Sequence, residues 1–594
     1  MNKNSLIAFI LIMLVVMFFT SPQYNKFFNE VTGRKPVPTE KGKSIPKKEE
    51  PKSQAQIDTT EKITPSEEKE DSVPKDTVIE EKKQEVKEDT IWVETENMIA
   101  GISERGGNII SIKMKEYLYT EGERKGENVD LIPQNSEGGA QISIAGESLK
   151  DKIFKYSGES EKKIEIEKDN KKDLVFEHTM KNGDVIKKIF SFEGEGYQIG
   201  MRVSGTQLGG ERIGISWLSG IEESETSGSQ PEQRIVHYSD GSSVQHLSMK
   251  KPEKEEITGN YKWIGVTSKY FFINIVSDSI RDADLTIKGF ETETKGKSGK
   301  TLKSINYEIS FTCTADENTE SYWFYTGPKQ LEGLKSYNLK FEKSLFPVIG
   351  WTRWFFYADK WFPWLAEFTL WLLLVLYNLV KDFGVAIILI TLLSRVVTYP
   401  MTQSSTKSMS RMKDIQPKVD AIRKRYKNNP RKMNEEIMAV YRQEGINPLN
   451  PGCLPLFLQM PIFIALFVVL RKAIELRGAG TRVIPWVNDL SQPESLIPLT
   501  SIFPQGIPLY GTSIALLPIV MAILTYFQNK MTIKDPNQKA MIYFMPVFML
   551  VLFNNFPAGL VLYWTASSAL GLLQQYYTEK KSKKSVAEAT AKKK

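Results

Sequence analysis

Between residues 384 and 577 the chain carries five apolar stretches, 384–403, 454–471, 508–528, 540–556 and 559–577, and none contains Asp or Glu. A helix crosses about 30 Å of hydrocarbon with roughly 20 apolar residues. Lipid leaves the backbone little other choice, because every N–H and C=O must be satisfied within the segment. The stretches 454–471 and 540–556 lie near the lower limit and favour a thinned bilayer or little tilt. One charge lies within the interior of these stretches; Arg471 only closes the second. Arg395 sits inside "ITLLSRVVTYPMT", eight residues before Gln403. At 1.5 Å per residue that is a depth of about 12 Å, further than an arginine side chain snorkels. A guanidinium so deep costs about 3 kcal/mol or more unless it faces water or the bundle interior. No span supplies a carboxylate for it, so its expected partner is water or a group that arrives and leaves. Gln459, Gln528, Asn529, Asn554, Asn555 and Trp564 add uncharged polar groups to the same bundle.

Loop charge fixes the orientation. The 404–445 loop carries eleven Lys or Arg against five acids, and the tail after Tyr577 carries seven lysines against two glutamates. Both are expected in the cytoplasm. The loop is itself structured. Met409, Met412, Ile415, Val419, Ile422 and Tyr426 step by three or four, and after "NNPR" so do Met433, Ile437, Val440 and Tyr441, with Gly445 as C-cap. This predicts a helical hairpin with one apolar stripe and basic faces bearing Arg423 and Arg425. Methionine adapts to irregular partners, which suits a receiving surface.

The N-terminus reads as a membrane anchor, residues 1–20, left uncleaved because Phe18, Phe19 and Pro22 spoil a small-residue cleavage site. Lys3 at its start puts the N-terminus inside. With five core spans this makes six, both termini in the cytoplasm. Residues 21–89 form a disordered tether, rich in Lys, Glu, Pro and Ser and too polar to bury a core. Residues 90–330 alternate apolar and polar between Gly, Asn and Asp turns, such as Gly106-Gly107, "DNKKD" and "KNGD". They predict an all-β sandwich outside the membrane. The histidines, His178, His237 and His246, read as loop or surface residues, and Glu222, Glu223 and Glu225 as a solvated loop. Residues 331–383 are a connector whose segment "WFPWLAEFTLWLLLVLYNLV", 361–380, could cross; a crossing would expel the basic loop or tail, so it is expected to lie in the outer interface. Residues 384–577 are the membrane core, hairpin included, and 578–594 a basic cytoplasmic tail.

Two cysteines and three histidines give no metal spacing, and no phosphate loop or nucleophile motif occurs, so no metal, cofactor or enzyme activity is expected. A transporter would need an intramembrane acid for coupling. A glycan-active enzyme would have to work with the β domain alone.

The motifs "SRVVTYPMT", "IQPKVDAIRKRYK", "INPLNPGCLPLFLQMPIFIALF" and "FPAGLVLYWTASSALGLLQQ" resemble, in order and spacing, the YidC/Oxa-type family of membrane-protein insertases over residues 384–577. The anchor and large outer domain resemble its Gram-negative form. The resemblance implies a hydrophilic groove open to cytoplasm and lipid but closed outside, with Arg395 as the groove arginine. It implies further groove positions at Asn529 or its neighbour Gln528, and at Trp564 beside Tyr563. It also implies recruitment of nascent membrane proteins by the hairpin, ribosome contact through the basic tail, work alone or beside the Sec translocon, and a β-supersandwich shape outside.

Overall fold

The computed structural model describes residues 89–591, leaving out 123, 159–161, 226–232, 296–300, 348–357, 445–453, 500–501, 504–506, 508–509 and 533–538. The anchor and tether at 1–88 and the Gly445 cap lie outside the described residues.

Residues 90–328 fold as eighteen strands joined in one hydrogen-bonded system. Nearly all pairings are antiparallel; Trp92–Glu94 beside Lys163–Glu165 runs parallel. The expected turns occur at Gly106-Gly107 and at "KNGD", with Gly106 and Gly107 at φ 69° and 54° and Gly183 at 87°; at "DNKKD" the turn closes earlier, from Glu167 to Asn170, and Lys171–Asp173 already open the strand Lys171–Thr179. In Val185–Glu193 the alternation puts Ile186, Phe190 and Phe192 inward, and Lys188 with them. Its ammonium donates to the carbonyls of Gly106 (2.9 Å) and Gly107 (2.6 Å), which makes the buried position tolerable. Burial pushes its pKa well below the usual lysine range.

All three histidines lie on strands; His246 is exposed, as expected of a surface residue, and His178 is half-buried, but His237 is neither on a loop nor at the surface. His237 is fully buried on the strand Ile235–Ser239; its Nδ1 lies 2.9 Å from Nδ1 of His246 and its Nε2 2.9 Å from Thr267 Oγ1. Burial first, then the neighbouring His246, keeps His237 neutral. His178 is also on a strand, against the Ile153 carbonyl.

The connector is packed rather than loose. Helix α1 (Leu331–Ser336) and the short turn Phe341–Ser344 bring Leu331, Leu334 and Phe341 against Trp263, Phe272 and Tyr325 of the sheet. Helix α2 (Ala358–Val380) continues the same apolar cluster with Phe362, Ala366, Leu370 and Leu373. Its other side exposes Trp364, Phe368, Trp371, Val375 and Leu379, so α2 is apolar all round. Phe362–Val380 is long and apolar enough to cross a membrane.

Helix α3 (Phe383–Arg425) is one continuous helix of 43 residues, about 65 Å. The expected break after Gln403 does not occur, because the chain beyond it keeps a helical apolar stripe with a partner to pack on. That partner is α4 (Pro430–Gln443), capped by the Asn429 side chain, which accepts from Lys432 N at 3.2 Å. Ile415 and Val419 are buried against Ile437, Val440 and Tyr441. The stripe therefore closes the hairpin's own core.

Four further helices complete the bundle: α5 (Leu454–Lys472), α6 (Leu516–Thr532), α7 (Lys539–Phe553) and α8 (Ala558–Ala591). α6 starts eight residues later than the expected 508, because Ser513–Ile514 pair with Ile497–Pro498 instead. α8 runs on through the basic tail.

Candidate substrate groove

Arg395 sits on α3 facing α8. Its Nη2 donates to the Ser567 carbonyl at 2.5 Å and to Ser567 Oγ at 2.7 Å. Its Nε is buried without a hydrogen-bond partner, and it makes no ion pair among the described residues. A buried donor left open is costly and calls for an explanation. A charge held by one serine is poised for an incoming acceptor.

Gly571 on α8 marks the convergence. A Cβ there would lie 3.0 Å from Gln528 Nε2 and 3.2 Å from Arg395 Nη2. So Gln528 on α6 and Arg395 on α3 meet over one glycine. Asn529, its neighbour, is half-buried and makes no hydrogen bond to Arg395 among the described residues. Ser567 and Gly571 were not expected as site residues. The signal available was the small-residue run Ser567, Ser568, Ala569, Gly571 in a bulky span, where helices can approach closely.

Tyr563 is only 1% exposed, and its hydroxyl accepts a hydrogen bond from Gln459 Nε2 of α5. It backs the arginine rather than lining an open surface. Trp564 points elsewhere, edge-on to Phe463 (5.1 Å) and tilted on Phe553 (5.4 Å), within the apolar cluster. Of the hairpin residues, Tyr426 has the Arg425 guanidinium and the Lys432 ammonium each 5.6 Å from its ring, Arg423 pairs with Asp420 at 3.5 Å, and Met433 is half-buried. Met409 and Met412 belong to α3, and their side chains lie outside the description.

Beside Arg395 the helix surface is apolar and open: Leu392, Leu393, Val396 and Val397 are 45–74% exposed. Phe527 on α6, Val547 on α7 and Leu573 on α8 continue this exposure. Apolar area on that scale needs a nonaqueous neighbour.

At the opposite end of the bundle, polar side chains grip the helix starts. Asp382 caps α3, accepting from Val385 N (3.0 Å), Thr481 Oγ1 (2.8 Å) and Arg482 N (2.8 Å). Glu494 accepts from the Leu516 and Leu517 amides that open α6 and from Trp486 Nε1. Asn554 donates to the Tyr510 and Ser513 carbonyls, 2.7 Å each, so it ties a loop rather than lining a cavity.

The carboxylates read as a solvated loop are buried. Glu223 pairs with Arg234 at 3.3 Å, both side chains under 5% exposed. Glu225 pairs with Arg477 at 2.5 Å, and Arg477 also donates to the Leu118 carbonyl at 2.7 Å. Tyr270 donates to Ser491 Oγ at 3.1 Å. These contacts fasten the β region to the loop after α5, a pairing across 252 positions that local pattern cannot reveal.

A helical bundle with lipid-like apolar flanks, a half-buried arginine with no ion pair among the described residues, and a large β region fastened to its opposite end defines an integral membrane protein with an extramembrane β domain. Residues 375–585 match the family model described as 60Kd inner membrane protein, and residues 90–365 match the YidC periplasmic domain. The chain belongs to the YidC family, inner-membrane proteins with a periplasmic domain. It is 30% identical to the membrane protein insertase YidC of Chloroherpeton thalassium across 97% of this chain and 95% of the relative. With the YidC of Geobacter metallireducens it shares 29% across 84% and 86%. A solved structure of an active YidC insertase with its first transmembrane domain resolved aligns at TM-score 0.36 and 18% identity, over 82% of this chain and 95% of that one.

Proposed function

We propose that this chain is a membrane-protein insertase and chaperone, which receives nascent apolar segments in a hydrophilic groove open to the cytoplasm and releases them sideways into the inner membrane. The observation that carries this reading is Arg395, held among the described residues by Ser567, with a buried Nε that has no partner there and open apolar surface one residue away. The short polar flank of a client enters beside Arg395 while its apolar segment slides along Val396 and Val397 into lipid. α7, at 15 residues, spans about 22 Å, less than a bilayer's hydrocarbon, which favours local thinning and a lower crossing barrier. Burial of apolar surface drives the transfer, together with the membrane potential acting on flank charge. The grips by Asp382, Glu494 and Asn554 favour closure on the periplasmic side. The basic hairpin and tail suit ribosome contact, and the protein works alone or beside the Sec translocon.

A photoreactive residue at Val396, 65% exposed beside Arg395, tests the groove in cells. The expected result is a crosslink to a short nascent membrane protein on stalled ribosomes once its apolar segment has emerged. Hairpin crosslinks without Val396 crosslinks would make the hairpin the docking site and sink the groove reading.

The topology proposed is six spans, both termini inside, a β-supersandwich domain outside, and α2 lying in the outer interface. The middle of α2 is tied to the connector by Glu367, which pairs with Lys343 at 2.9 Å. Just past its C-terminal end, Asp382 holds the loop whose Arg477 reaches Glu225 of the β region. A cysteine replacing exposed Lys381 should therefore react with a membrane-impermeant maleimide from the periplasmic side. Labelling only from the cytoplasm would make α2 a span.

A further inference from the structure

Where α2 turns into α3, a cavity of about 430 Å³ opens between Tyr377, Lys381 and Phe383 on one side and the loop Glu475–Arg482 on the other. That volume falls within the range of small-ligand sites. Its charges are unevenly matched. Asp382 is occupied by Val385 N, Thr481 Oγ1 and Arg482 N. Arg477 is occupied by Glu225. Lys381 and Arg482 are both exposed, and neither makes an ion pair among the described residues. Among the described residues the Lys381 ammonium reaches only Asn378 Oδ1, at 3.3 Å, and the Tyr377 ring, 5.8 Å from its centroid. Its backbone sits at φ 53°, a left-handed turn that glycine would fill with less strain, yet the position carries a lysine. The Arg482 amide donates to Asp382, which fixes its backbone at the cavity that the residue lines.

The third group is Glu475. Its Oε1 accepts from Leu331 N at 3.3 Å, while its Oε2 is buried without a partner. Burial pushes its pKa up. Two free cations and one open carboxyl suit a phosphate diester. The setting suits one attached to acyl chains: Phe383 opens a core helix, and Val483 and Trp486 beside Arg482 are 39% and 45% exposed. Tryptophan at such a level is a common membrane-interface anchor.

We propose that this cavity binds the phosphodiester headgroup of a lipid in the outer leaflet of the inner membrane, held by Lys381 and Arg482 with Glu475 as the third contact. The leaflet assignment rests on the topology proposed above. A lipid seated there would pin the turn between the interfacial helix and the arginine-bearing helix.

Native mass spectrometry of the delipidated full chain in detergent tests this, with phosphatidylglycerol, diacylglycerol of the same chains, and inorganic phosphate as probes. The expected result is one phosphatidylglycerol retained, no diacylglycerol, and no displacement by millimolar inorganic phosphate. The Lys381→Gln/Arg482→Gln pair should bind that lipid about tenfold more weakly or worse, the loss expected for charge-assisted contacts. Equal retention by the pair overturns the proposal. So does full displacement by inorganic phosphate, which would make this a small-anion site. If the pair melts lower without lipid, the Lys381→Arg/Arg482→Lys variant keeps both charges and should bind; its failure to bind would equally overturn it. Insertion assayed with the same preparations reports separately on the insertase reading, since neither residue lies near Arg395.

Discussion

Replacing Arg395 with alanine is expected to slow insertion of clients with acidic flanks far more than that of clients with neutral ones. The guanidinium is the fixed charge that a translocating carboxylate would meet, at a point where, among the described residues, it bonds only to Ser567. At roughly 6 Å and an effective dielectric near 20, one such pair is worth about 2–3 kcal/mol. That corresponds to a roughly 50-fold slower rate for a client with one acidic residue in its flank. Arg395→Lys keeps the charge but loses the planar fork, and should recover much of the acidic-client rate. The measurement is the rate of flank translocation into proteoliposomes under an imposed potential, for clients differing only in flank charge. Equal loss for neutral and acidic flanks would show that Arg395 organises the groove without acting through its charge.

The second large effect lies at the other end of the molecule. Arg477→Ala should destabilise the docking of the β domain by about 3–5 kcal/mol, the usual result of leaving one member of a buried ion pair alone. Here Glu225 would remain with its side chain 6% exposed, keeping Gln492 Nε2 at 3.1 Å and the Thr120 hydroxyl at 3.3 Å among the described residues. The measurement is thermal unfolding followed by protease cleavage at the junction near Pro328. Arg477→Met combined with Glu225→Leu should regain most of the loss, because both charges are then removed. If Arg477→Ala melts as the parent does, the apolar cluster through Trp263, Phe341 and Phe362 carries the docking by itself.

What could be read locally was read well. The turns at Gly106-Gly107 and at "KNGD" follow from positive φ, which glycine adopts freely. The hairpin follows from apolar residues at helical spacing. What failed were statements about surroundings. His237, Glu223 and Glu225 are polar types that usually face water, and all three are buried by partners far along the chain: Thr267, Arg234 and Arg477. Trp564 and Tyr563 are adjacent on a helix and so diverge by about 100°, and sequence position could not tell which of them backs the arginine.

The sequence by itself determined that the chain is built for lipid, since uncharged apolar runs of crossing length have no aqueous fold of low cost, and that one arginine stands among them. It also determined the β domain, through period-two alternation and turn chemistry. Only the tertiary structure decided what surrounds that arginine. Ser567 and Gly571 lie beside it because α8 approaches α3 closely there, and Gln528, not Asn529, is the α6 side chain that reaches the same glycine. It likewise decided that the β domain is fastened to the bundle and not merely tethered to it. Helix rotation and long-range pairing are set by how whole surfaces pack, and that information is spread over hundreds of residues rather than written in any one stretch.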